Sequence, residues 1–129
     1  MSIRTTTPVF AVADVAATME WYRDRLGFAG DAVPRKPPYN FAILRRDDVE
    51  IMLQRFDGFR LPELYPQRPG GVWNVYLRVE GVQMLYDEFR ERVRVLEPLH
   101  VQPYGQTEFV VEDLNGYVLV FAEPHEPRR

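Results

Sequence analysis

The chain has 129 residues, of which 46% are hydrophobic and 27% charged, and this length suits one domain built from two small halves. A formal net charge of −3 is too small to predict a nucleic acid or an anionic membrane as partner. The lack of cysteine excludes disulfides, thiolate nucleophiles and cysteine metal sites. No apolar run reaches about 18 residues, and the N-terminus shows no signal-peptide pattern, so we expect a cytoplasmic protein.

The first half of the chain predicts one helix and four strands. A strand at 5–13 leads into Asp14, whose side chain is suited to cap a helix, and the helix is expected to end near Leu26 because Gly27 follows. Three more strands are predicted at 28–33, 39–45 and 49–56.

The second half begins with an irregular stretch, 57–71, rich in proline and glycine, which suits a linker or a loop over a pocket. A strand at 72–80, a helix at 81–94 and an irregular or extended segment at 95–102 follow. Residues 108–123 then predict a hairpin, because Asn115-Gly116 suits a two-residue type I′ turn. That turn pairs Val111 with Val120 and Phe109 with Ala122.

The order strand, helix, strand, strand, strand occurs twice. Phe10 maps to Leu77 at an offset of 67 residues, and Phe41 is taken to map to Phe109 at an offset of 68. Neither half is large enough for a good core alone. We therefore expect a single domain over 1–129, made of module one at 5–56, a linker at 57–71 and module two at 72–123.

Alternation along the strands separates two faces of the sheets. One face is uniformly apolar and must lie under the helices. The second face mixes apolar, aromatic and polar side chains, as the lining of a ligand cavity does. It includes the residues we predict to bind ligand: Phe41, Glu50, Met52, Gln54, Asn74, Tyr76, Arg78, Phe109, Val111 and Val120. The alternative is a solvent-facing sheet surface, which would expose a large apolar area.

Four segments carry a resemblance to a known family: AVADVAATMEWYRDRLGF, FAILRRDDVEIMLQRF, VYLRVEGVQMLYDEF and EFVVEDLNGYVLVFAEP. Together they resemble the vicinal oxygen chelate superfamily, which holds glyoxalase I, extradiol dioxygenases, fosfomycin-modifying enzymes and bleomycin resistance proteins. The resemblance covers nearly the whole chain. It implies an α+β fold of two βαβββ modules whose curled mixed sheets enclose a cavity, and commonly a homodimer.

The resemblance also locates the four metal-ligand positions of the enzymes in that superfamily, at Thr7, Met52, Asn74 and Val120. The relatives carry His, Gln or Glu there. Methionine and valine offer no oxygen or imidazole nitrogen, and a single asparagine amide is a weak ligand. We therefore expect no metal site and no cofactor.

No catalytic residues are predicted. His125 lies in the C-terminal tail, His100 lies between prolines as a surface or loop residue, and the only serine is Ser2, so no catalytic triad is available. Arg45 and Glu50 are expected to form a structural cross-strand ion pair. Trp73 is expected to point to the other face of its strand.

The function predicted from these residues is binding and sequestration of an aromatic or amphipathic small molecule, as in metal-independent proteins of the bleomycin-resistance type. One alternative is a metal-dependent glyoxalase-like lyase or dioxygenase whose ligands are unrecognised. A third is a protein that acts only through its dimer surface.

Overall fold

The computed structural model describes residues 1–68 and 70–126 and divides the chain into two compact units, Met1–Arg60 and Leu61–Arg129. Among the described residues, each unit holds one α-helix and one four-stranded mixed sheet, which confirms the predicted α+β class and its repeated order of elements. The second unit also has a short 3-10 helix at Tyr65–Gln67. The boundary between the units falls within the predicted linker. That the two units form a single domain stays a prediction. Within the described residues, no helix is long and apolar enough to cross a membrane.

The first unit follows the sequence prediction closely. Its elements are β1 Val9–Val12, α1 Val15–Trp21, β2 Ala29–Val33, β3 Phe41–Arg46 and β4 Val49–Arg55, with sheet order β1-β4-β3-β2. The side chain of Asp14 accepts a hydrogen bond from the Ala17 N–H at 2.9 Å and so begins α1. The helix continues through a π-helical turn to Leu26 and ends at Gly27, which has φ = 72°.

The pairing of β3 with β4 places side chains as the alternation predicted. Phe41 lies opposite Gln54, Ile43 opposite Met52, and Arg45 opposite Glu50. The intervening residues form the core on which α1 packs: Ala42, Leu44, Ile51 and Leu53, each fully buried. The sequence-based assignment of the two faces is therefore confirmed for this sheet.

The second unit repeats this plan, but its helix lacks the π-helical extension that follows α1. Its elements are β5 Val75–Arg78, α2 Val82–Phe89, β6 Arg94–Val101, β7 Gln106–Glu112 and β8 Val118–Pro124, with sheet order β5-β8-β7-β6. The predicted extension of α2 to residue 94 is wrong. The Arg92 N–H bonds to the Phe89 carbonyl at 2.8 Å, closing a turn, and β6 starts two residues later.

The two helices begin differently. The N-cap of α2 is Gly81, which has no side chain to accept the first backbone N–H groups. Glu123, on β8, supplies the acceptors instead, at 2.9 Å from the Gly81 N–H and 3.3 Å from the Val82 N–H. The start of α2 thus depends on a residue about forty positions away, whereas α1 is capped by its own N-cap residue.

The turn between β7 and β8 has three residues, so the predicted two-residue turn is wrong. Asp113 pairs with Tyr117 through its N–H, at 2.9 Å, and its carbonyl accepts the Gly116 N–H at 3.1 Å. Its side chain accepts from the N–H groups of Asn115 and Tyr117 at 2.8 and 2.9 Å. Gly116 has φ = 92°, whereas Asn115 does not have the positive φ of a type I′ turn. Asp113 is therefore a turn-forming residue.

The longer turn moves the pairing by one residue. Val110, not Val111, lies opposite Val120, and Phe109 lies opposite Phe121. The offset of the internal repeat is therefore 67 residues up to the turn, where one residue is inserted, and 68 afterwards. Phe41 of the first sheet corresponds to Glu108, not to Phe109.

Candidate functional site

On each sheet the face turned away from the helix, here called the helix-distal face, carries the candidate site. On the first sheet this face includes Phe41, Ile43 and Met52, all half-buried, with Glu50 and Gln54 on the same face. Met52 pairs with Val9 on the edge strand β1. The predicted placement of Phe41, Glu50, Met52 and Gln54 is thus confirmed, while their role in binding stays a prediction.

Arg45 links three strands of the first sheet. Its guanidinium lies 3.4 Å from a Glu50 oxygen and 3.2 Å from an Asp31 oxygen. The Arg45 side chain is 47% exposed, so these pairs are worth at most about 1 kcal/mol. The arrangement agrees with the structural ion pair predicted between Arg45 and Glu50.

The helix-distal face of the second sheet is apolar at its centre. Val110, Val118 and Val120 are buried there. Three partly buried side chains from different segments pack against these valines. They are Tyr65 of the predicted irregular stretch, Tyr76 of β5 and Leu96 of β6. Part of the irregular stretch therefore covers this face.

Gly71 allows Tyr65 to take this position. A Cβ atom built on Gly71 would lie 1.8 Å from the Tyr65 ring, and Gly71 has φ = 74°. Only glycine fits such a contact with this backbone conformation. The Tyr65 ring is thereby held between the backbone of residue 71 and the valine cluster.

Two predicted site residues, Phe109 and Val111, lie on the opposite face. The Phe109 ring packs against Tyr86 and Phe89 of α2, with ring centroids 5.2 and 6.4 Å apart, and stacks on Phe121 at 5.0 Å. Val111 pairs with Leu119, and both are fully buried. The predicted placement of these two residues was wrong because a shift of one residue reverses every side chain of a strand.

The corrected register places Glu108 on the helix-distal face, where it is fully buried. Its Oε2 atom accepts from the Tyr76 hydroxyl at 2.8 Å, and its Oε1 atom accepts from the Gln102 amide at 2.9 Å and from the Tyr104 hydroxyl. The register of a two-residue turn does not place this carboxylate on the helix-distal face, although a glutamate within a strand of buried residues is unusual. Counting from a three-residue turn would have revealed it.

Three phenols of the second unit, two beside Glu108 and one beside Glu97, are held in their neutral form. Burial, with the hydrogen bond to Glu108 and its negative charge, raises the pKa of Tyr76 to about 12. Burial and the same carboxylate also raise the pKa of Tyr104. Burial, with the charge of Glu97 and a hydrogen bond to it, raises the pKa of Tyr65 to about 12. Near neutral pH these three hydroxyls are hydrogen-bond donors.

Two other predicted site residues already have partners within the second sheet. The Asn74 side-chain oxygen accepts the Val118 N–H at 2.8 Å, so this amide continues the strand pairing. The Arg78 guanidinium lies 5.6 Å from the centre of the Tyr76 ring. Trp73 lies 5.4 Å from the same ring, which contradicts the expectation that it points away from this face.

The resemblance places the superfamily's four metal-ligand positions at residues that do not fit a divalent ion. Met52 and Val120 occupy equivalent places, since Met52 pairs with Val9 on β1 and Val120 with Tyr76 on β5. The thioether of Met52 is a soft ligand and the isopropyl group of Val120 is none. Within residues 1–68 and 70–126, no three histidine, aspartate or glutamate side chains are grouped to hold a metal.

The family model of the Glyoxalase/Bleomycin resistance protein/Dioxygenase superfamily matches residues 4–121. The chain belongs to this superfamily, which confirms the resemblance seen in its motifs. Among curated proteins, no relative matches the chain.

Solved structures share the fold. A glyoxalase-related enzyme from Clostridium phytofermentans is 18% identical with a TM-score of 0.74, and the match covers 97% of this chain and 98% of that one. TioX from Micromonospora sp. ML1 is 19% identical with a TM-score of 0.72, covering 98% and 100%. The bleomycin-binding protein from Streptomyces verticillus, solved with copper(II)-bleomycin, is 23% identical with a TM-score of 0.70, covering 98% and 99%. At these identities the likeness concerns the fold alone.

Proposed function

We propose that the protein binds and sequesters an aromatic or amphipathic small molecule without a metal ion, as bleomycin-binding proteins of the superfamily bind bleomycin. The observation that carries this proposal is the pairing of Met52 with Val9 and of Val120 with Tyr76. In both sheets an apolar side chain stands where metal-dependent relatives place a ligand. The helix-distal faces therefore offer apolar and aromatic contact with a few polar groups, which suits binding by shape and orientation.

Sequestration requires affinity alone, with no preference for a transition state. Phe41 and Tyr76 present aromatic rings on the helix-distal faces, and aromatic rings favour stacking on flat ligands. Glu50, Gln54 and Arg78 lie on the same faces and supply charges and hydrogen bonds that orient a ligand. Asn74 takes part through its amide nitrogen, since its oxygen is bonded to Val118.

A library of aromatic compounds tested by thermal shift checks the proposal. A compound at 100 times its Kd stabilises the folded state by about 2.7 kcal/mol, which is readily detected. The matched variants are Met52→Ala and Met84→Ala, because Met52 is half-buried on the helix-distal face and Met84 is 77% exposed on α2. Met52→Ala should weaken a hit by about 1 kcal/mol or more, roughly fivefold, and Met84→Ala should leave it unchanged.

Metal analysis of protein purified without chelator separates binding from catalysis. The proposal expects only trace metal and ligand binding that survives treatment with EDTA. Stoichiometric nickel, zinc, iron or manganese would refute it and favour a metal-dependent lyase or dioxygenase.

We further propose that the protein is a cytoplasmic homodimer. Large apolar side chains are exposed in each unit, among them Val9 at 50% and Phe56 at 63% in the first unit and Trp73 at 43% in the second. Such side chains are commonly covered by a second copy in assemblies. Light scattering at micromolar concentration should give twice the mass of the chain, and a monomer mass would contradict this proposal.

A further inference from the structure

The Glu108 carboxylate lies on the helix-distal face of the second sheet without a counter-ion. None of the ion pairs formed by the described residues includes it. All three of its partners, Tyr76, Gln102 and Tyr104, are neutral donors. A carboxylate has about four acceptor positions, and Oε2 receives a single donor, so a position remains for another N–H group. A buried charge satisfied only by neutral donors is stabilised further by a cation.

A second buried acceptor, which unlike Glu108 receives no donor, lies on the same strand. The side-chain oxygen of Gln106 is buried and has no hydrogen-bond partner among residues 1–68 and 70–126. Gln106 precedes Glu108 by two residues on β7, so both side chains point to the helix-distal face, about 7 Å apart along the strand. Buried acceptors are nearly always satisfied, and an unsatisfied one beside a carboxylate suits an incoming group with several donors. A protonated amine is such a group.

Aromatic side chains lie beside the Glu108 carboxylate. Tyr76 and Tyr104 both contact Glu108 through their hydroxyls, and Trp73 lies beside Tyr76. The Arg78 guanidinium over the Tyr76 ring shows that this ring accepts a cation on its face. Aromatic rings attract ammonium groups to their faces, and a nearby carboxylate adds an ion pair.

We propose that Glu108 anchors a protonated primary or secondary amine of an aromatic ligand, with Gln106 as the second acceptor. Tyr104 is the group that the amine displaces. Its side chain is 54% exposed and lies in the turn between β6 and β7, so it can leave the carboxylate without disturbing the core. The other ionisable side chains that share this face by register include Glu97 and His100 on β6 and Arg78 on β5, and the negative charge of Glu97 adds to the attraction. This inference names the ligand class for the proposed function and depends on it.

Calorimetry with the full chain at pH 7 tests the inference, using 1-naphthylmethylammonium and its neutral counterpart 1-naphthylmethanol. The ammonium compound should bind at least tenfold more tightly, the minimum expected for a hydrogen bond to a charged group. Glu108→Gln should remove this preference and leave the affinity for the alcohol unchanged. Glu112→Gln is the matched control, because Glu112 lies on the same strand and face, pairs with the exposed Arg94, and loses the same charge. It should retain the preference.

Equal affinity for the two compounds, or a preference that survives in Glu108→Gln, would overturn the inference and leave the proposed function standing if the alcohol binds. If neither compound binds and no member of the aromatic library binds, both the inference and the proposed function are refuted. Tyr104→Phe provides a test that does not alter a buried residue. It removes the competing donor and should tighten ammonium binding several-fold with no change for the alcohol, whereas a purely structural Tyr104 would leave the ratio of affinities unaltered.

Discussion

Glu123 makes the start of α2 depend on the end of the chain, and its removal tests that dependence. In Glu123→Ala the N–H groups of Gly81 and Val82 lose acceptors at 2.9 and 3.3 Å, and Gly81 has no side chain to replace them. The variant also removes a negative charge from the positive end of the helix dipole. We therefore expect α2 to fray at its first turn and the second unit to lose stability.

The size of the effect follows from these two losses. Removal of a side-chain cap costs about 0.5–2 kcal/mol, and removal of a favourable charge at a helix N-terminus costs about 0.3–1 kcal/mol. The sum is about 1–3 kcal/mol. With an unfolding entropy of about 2.1 cal/mol/K per residue, this lowers Tm by about 4–10 °C. Glu123→Gln keeps an acceptor but loses the charge, so its stability should lie between that of Glu123→Ala and that of the wild type.

Urea unfolding followed by circular dichroism measures the loss. Glu91→Ala is the control, because Glu91 is exposed just beyond α2 and its removal changes the net charge equally; we expect it to stay within about 0.5 kcal/mol of the wild type. Hydrogen exchange should accelerate at the amides of Gly81 and Val82. Equal stability of the Glu123→Ala and Glu91→Ala variants, or unchanged exchange at these amides, would refute the capping role.

Two further predictions concern the faces of the sheets and the buried phenols. Phe109→Ala should destabilise the protein by about 3–5 kcal/mol because Phe109 is fully buried. Phe41→Ala changes a half-buried residue, so it should cost less stability but weaken ligand binding. A larger loss of stability in Phe41→Ala than in Phe109→Ala, measured by urea unfolding, would contradict the corrected register. The pKa of Tyr76 rises in the folded state from 10.0 to about 12, so folding favours the protonated phenol: this stabilisation is complete below pH 10 and is lost as the pH rises towards 12. Between pH 10 and 12 the free energy of unfolding, measured with urea, should therefore fall less in Tyr76→Phe than in the wild type. Parallel pH profiles of the two proteins would show that the phenol does not titrate as described.

Much of the first unit could be predicted from the sequence because its signals are local. Asp14 and Gly27 mark the ends of the helical segment by their own side chain and backbone. The short turn at Asp47-Asp48 leaves no room for a different register, so alternation placed Phe41, Glu50 and Met52 correctly. The same motifs identified the superfamily.

The second hairpin shows where local reasoning failed. Asn115-Gly116 favours a two-residue turn, but the Asp113 side chain bonds two backbone N–H groups and selects a three-residue turn with Gly116 at the positive φ. This competition concerns a few hydrogen bonds, yet it decides on which face of the sheet every side chain of β7 lies. Aspartate three residues before a glycine is the signal that favoured the longer turn.

The sequence by itself determined the repeat and the alternation of each strand, because these depend on spacing along the chain, and its motifs carried the resemblance to the superfamily. Only the tertiary structure decided which face of β7 lies under α2, that Glu108 is buried among Tyr76 and Tyr104, and that Glu123 caps α2. Each of these joins residues on different elements. The pairing register sets their distances, and a carboxylate gains its partners only when distant segments meet.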